Sequence, residues 1–81
     1  MKYIVIEIQK FDTGAVSTPA WAYDNENSAW SKYHAVLSTA AVSALPVHSA
    51  VIMNESGFCI EHKCYEHPQP EPEPEPEEPE T

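Results

Sequence analysis

The amino-acid sequence predicts an α+β fold. The expected architecture is a ββαββ domain over residues 1–67, with a four-stranded antiparallel sheet, one helix on one face and a disordered acidic tail at 68–81. Three observations predict it. Residues 3–9 alternate apolar and polar groups with the two-residue period of a strand. Residues 30–44 change to apolar spacings of three and four, the period of an amphipathic helix. The last fourteen residues hold six of the eight prolines, six glutamates and no aliphatic side chain, so they cannot join a core.

In the first strand Ile4, Ile6 and Ile8 lie on one face, with Tyr3, Val5, Glu7 and Gln9 on the other. Asp12, Thr13 and Gly14 follow as a hairpin loop, Gly14 supplying the positive φ. A second strand runs from Val16 through Trp21 to Tyr23, and Pro19 assigns it to a sheet edge because proline cannot donate to a ladder.

Residues 24–28 are rich in N-capping side chains, and Glu26 suits the positive end of a helix dipole. The helix then presents Trp30, Tyr33, Leu37, Ala40, Ala41 and Ala44 as its apolar stripe, and ends at Leu45 and Pro46. Its second half is small-sided. That permits close packing either on the domain's own sheet or on a helix of another subunit, so Trp30, Leu37, Ala40, Ala41 and Ala44 are candidate interface residues. Residues 47–53 form the third strand, 54–57 a turn with Gly57 in the left-handed region, and 58–65 the fourth strand. Strand order 2-1-3-4 keeps all neighbours antiparallel. At the end of the chain, proline alternating with glutamate favours polyproline II, reaching on the order of 40 Å over fourteen residues.

Charge narrows the function classes. The chain carries −9 formally, of which the six tail glutamates supply −6; residues 1–67 hold four lysines against seven acids, and there is no arginine. Binding to a nucleic-acid backbone needs clustered cations, so no nucleic-acid partner is expected. The apolar stretch from Met1 to Ile8, broken by Glu7, is too short and too flanked by polar residues for a membrane span or a signal peptide. Two cysteines are too few for a secreted disulfide scaffold, which points to a reducing cytosol. A domain of this size buries only about 60% of its unfolded surface. A homo-oligomer is therefore the expected state.

Two groups of residues invite a chemical reading. Cys59, His62, Cys64 and His67 are metal-ligand types, but on a regular strand Cys59 faces away from His62 and Cys64, and no glycine or proline turns the chain to gather them. No metal is expected, and a disulfide between Cys59 and Cys64 meets the same objection. The second group is Lys32, Tyr33 and His34 on the helix with His48 and Ser49 beyond the Pro46 turn. These side chains suit a small polar or anionic ligand, above all if an oligomer repeats them. The competing reading makes Tyr33 core, Lys32 solvated and the histidines locally hydrogen-bonded. Catalysis finds no phosphate loop, no nucleophile elbow and no oxyanion site, and Glu7 on a half-exposed strand reads as solvated. The expectation is a non-enzyme with no catalytic residues and no cofactor.

The stretches 1–9, 31–34, 40–51 and 63–67 resemble a group of short, uncharacterised proteins encoded by phages and prophages of anaerobic gut bacteria. The resemblance covers most of residues 1–67 and leaves out the Pro-Glu tail. It implies a setting, the host cytoplasm or a particle assembled there, and transfers no activity or site residue. Two functions follow as expectations. One is a phage accessory or structural protein acting by self-assembly and contact with a phage or host protein. The other is a counter-defence protein that sequesters a nucleotide-like host signal in pockets between subunits, lined by Lys32, Tyr33, His34, His48 and Ser49.

Overall fold

The computed structural model describes residues 1–67. The Pro-Glu segment at 68–81 lies outside the described residues. Six elements follow in order: β1 (Tyr3–Lys10), β2 (Val16–Ser17), β3 (Ala20–Tyr23), α1 (Glu26–Ala41), β4 (Val47–Asn54) and β5 (Cys59–Glu66). They form an α+β fold with one helix on one antiparallel sheet.

The sheet has five strands where the sequence predicts four. Its order is β2-β1-β4-β5, with β3 also paired to β1. The predicted second strand is interrupted at Thr18 and Pro19, because proline has no N–H for the ladder. Both flanking segments keep one register, Gln9 opposite Ser17 and Ile6 opposite Ala20. Between them the Glu7 amide donates to the Pro19 carbonyl at 2.9 Å, so the edge stays attached across the gap.

Local chemistry sets the turns. Gly14 (φ +94°) and Gly57 (φ +88°) occupy the left-handed region where a Cβ is disfavoured. Asn54 Oδ1 accepts from the amides of Ser56 and Phe58, which shapes the β4–β5 turn. Asn25 caps α1, its side chain accepting from the Ser28 amide at 2.7 Å.

The helix ends at Ala41, short of the predicted stop at Leu45 and Pro46. The amides of Val42 and Ser43 turn back to the carbonyls of Thr39 and Ala40, tightening the last turn. His67, just past β5, places Nε2 2.8 Å from the Ala40 carbonyl. That ring donates at the negative end of the helix dipole, tying the end of β5 to the end of α1.

The core lies between α1 and one face of the sheet. Val5, Ala29, Tyr33, Val36, Ala50 and Ile52 are buried there, with Tyr3, Trp21, Tyr23, Trp30, Leu37 and Ile60 packed around them. Each fully buried Val or Ile side chain contributes roughly 1.5–3 kcal/mol. The central stripe of the helix is therefore Ala29, Tyr33, Val36 and Ala40. Ala29, Ala40 and Ala50 are wholly buried, so small side chains bring the helix close to its own sheet. Ala41 and Ala44, placed on the stripe by the sequence reading, are exposed; Ala44 lies beyond the helix.

Candidate interaction surface

Val5 is fully buried under the helix, which fixes the sidedness of every strand. Tyr3, Val5, Glu7 and Gln9 share that side with His48, Ala50 and Ile52. Ile4, Ile6 and Ile8 therefore lie on the side that the helix does not cover. None of the three belongs to the core cluster or packs against it.

The register lays out this helix-free face in rows across β1, β4 and β5. They read Ile4, Met53, Cys59; then Ile6, Val51, His62; then Ile8, Ser49, Cys64; then Lys10, Val47, Glu66. Alongside β1, Ala20 stands opposite Ile6 and Ala22 opposite Ile4. Val16, opposite Lys10, is 58% exposed. The centre of the face is aliphatic, its charges sit at one end, and no described helix or strand covers it. No described helix is long and apolar enough to cross a membrane.

A bulge decides the position of Cys59. The β4–β5 register shifts between Ile52 and Met53, so that Met53 faces Cys59 while Ile52 faces Glu61. Ile60 is the extra residue, and it packs toward the core. Cys59 consequently shares the helix-free face with His62 and Cys64, contrary to the regular alternation expected from the sequence. Both cysteines are free and exposed. Among the described residues no three His, Cys, Asp or Glu side chains gather closely enough to hold a metal ion.

No family model, no curated protein and no solved structure matches the chain.

Of the five residues read as a candidate ligand group, Tyr33 and His34 meet edge to face, their ring centroids 5.5 Å apart, while His48 and Ser49 lie on opposite sides of the sheet. Lys32 holds Nζ 3.9 Å above the ring of Trp21, its stem half-buried against β3. Tyr33 is core, 1% exposed, with its hydroxyl buried and without a hydrogen-bond partner. Burial pushes the Tyr33 phenol above its ordinary value, with Glu61 adding to the rise. His34 is exposed and stacks on Trp30, the ring centroids 5.7 Å apart. His48 is 2% exposed on the helix side of β4, while Ser49, its neighbour in sequence, points to the helix-free face.

His48 has a partner that the sequence reading did not give it. Its Nε2 donates to Oε2 of Glu7 at 2.5 Å, and Glu7 itself is largely buried. Glu7 was expected to be solvated. The correction follows from register: Gln9 stands opposite His48, so Glu7 is its diagonal neighbour on the helix side, within reach of a long side chain.

Of the residues read as a candidate interface, Ala40 is fully buried on the sheet, and Trp30 and Leu37 pack against the core. The surface that sequence reasoning passed over is the isoleucine face. Its signal was present in the alternation of β1. Nothing in the spacing says which side of an amphipathic strand the helix takes, because Tyr3 and Val5 compete with the three isoleucines.

Proposed function

We propose that this chain is a small contact protein that acts by self-assembly and protein–protein docking through the helix-free face of its sheet. One observation carries the reading: Ile4, Ile6, Ile8, Val51 and Met53 line up on a face that no described element covers. An antiparallel sheet with one solvated face normally presents polar groups there. Aliphatic side chains across its centre are the composition of a sheet that packs on another protein surface. The resemblance to phage and prophage proteins supplies the setting, an accessory or structural role in the host cytoplasm or in a particle assembled there.

The experiment replaces the centre of the face. Ile6→Asp and Val51→Asp put charge at the centre of the face, on residues outside the core. Far-UV circular dichroism should remain that of the folded domain. Size-exclusion chromatography with light scattering should show wild type as an assembly and both variants as monomers. Folded variants that assemble as wild type does would sink the proposal.

A further inference from the structure

We infer that the occupant of this face is a second copy of the same chain, docked sheet to sheet about a two-fold axis running along β4. The inference rests on the contact reading above and gives it a partner and an orientation.

Charge selects the partner. In the rows of the helix-free face the charged residues are one lysine and one glutamate, Lys10 and Glu66, at the two ends of a single row. Elsewhere in residues 1–67 three lysines stand against six acids. Two copies that meet through this face join their neutral surfaces and keep their acidic ones apart. The segment at 68–81 has no aliphatic residue to offer an apolar face.

Charge also selects the axis. A two-fold along β4 lays β1 over β5 of the second copy. Lys10 then lies over Glu66 of the second copy, and the same contact recurs by symmetry, as an isologous interface requires. The alternatives are worse. An axis along β1 sets Lys10 against its own counterpart. One between β1 and β4 sets Lys10 over Val47 and Glu66 over Val16. An axis across the strands carries the row of Lys10 onto the row of Ile4.

Area fits a weak, reversible contact. Under this axis β1, β4 and β5 overlap with their counterparts; three strand positions about 4.8 Å apart and eight residues long give a footprint of roughly 380 Å² per copy. Together the two faces reach roughly 760 Å², the range of transient interfaces. Packed sheets sit about 10 Å apart, a gap that apposed valine, isoleucine and methionine side chains fill.

A charge-reversal cycle on the full chain tests this, read by sedimentation velocity over a range of concentrations, with circular dichroism as the check on folding. Wild type should form a reversible dimer. Lys10→Glu and Glu66→Lys should each weaken it about tenfold, since each sets two like-charge pairs at the rim. The double variant should recover wild-type association. Reversals without effect, alongside an Ile6→Asp variant that is monomeric, would overturn the axis while the face keeps its role. A folded Ile6→Asp variant that still dimerises would overturn both. A wild-type chain that stays monomeric at every concentration would overturn the second copy and give the face to a different protein.

Discussion

His48 donates through Nε2 to Oε2 of Glu7 at 2.5 Å, a polar contact set beneath the helix in an otherwise apolar layer. Neither group is replaced by water there, because His48 is 2% exposed and the Glu7 side chain 14%. Removing one partner strands the other, a penalty of roughly 1–3 kcal/mol. Glu7→Ala should therefore lower the urea midpoint with an unchanged slope, whereas Glu7→Gln, which keeps an acceptor oxygen, should lose less. Equal stability of wild type and Glu7→Ala would show that the pair is not part of the fold's support.

Tyr33 presents the opposite case, a buried hydroxyl with no partner. Tyr33→Phe keeps the ring and deletes the orphan, so thermal stability at neutral pH should hold or rise.

Alkaline pH reads the same residue differently. Burial raises the folded-state pKa of the Tyr33 phenol above its ordinary value of 10.0. A raised folded pKa means that the folded state holds the proton more tightly. That contribution to stability is fully present below the unfolded value and is lost as pH rises through the folded value. Lys2, paired with Asp24, shifts in the same direction from 10.5 and adds to the loss. Whatever its size at neutral pH, the difference between wild type and Tyr33→Phe should thus change with pH only above about pH 10. Ultraviolet titration should show one of the four tyrosines ionising after the others.

Gly57 holds φ +88° with nothing within 4 Å of an added Cβ. Gly57→Ala therefore meets backbone strain alone, and should destabilise by roughly 1–2 kcal/mol. Gly57→Asn should recover part of this, because asparagine tolerates the left-handed region. A thermal melt of both variants checks the order.

Lys32 separates the contact reading from the sequestration reading. Its ammonium lies over Trp21, so Lys32→Ala should change tryptophan fluorescence and cost about 0.5–1 kcal/mol. Self-association should be unaltered, since Lys32 is on the helix side of the sheet. Loss of a co-purifying small molecule in this variant would instead favour sequestration.

Much of the fold was legible because it rests on short-range rules. The alternation of β1, the capping stretch at 24–28 that supplies Asn25, the positive φ of Gly14 and Gly57 and the edge position of Pro19 are each written in a few adjacent residues. What stayed hidden depends on long-range choices. The helix could cover either side of β1, and its close approach over Ala50 settled the matter. The bulge at Ile60 moved Cys59 to the face of His62 and Cys64, and a single inserted residue leaves no periodic trace. The contact that ties His67 to the end of α1 joins residues twenty-seven positions apart. Glu7 and His48 meet only once the β1–β4 register is known.

Native mass spectrometry of the untagged full chain, wild type beside Ile6→Asp, tests the central claim most directly. The account predicts a defined homo-oligomer for wild type and a monomer for the variant, with no added small-molecule mass in either. An oligomer that survives Ile6→Asp, or one that carries a bound small molecule lost on assembly failure, would contradict the claim that this face works by protein contact alone.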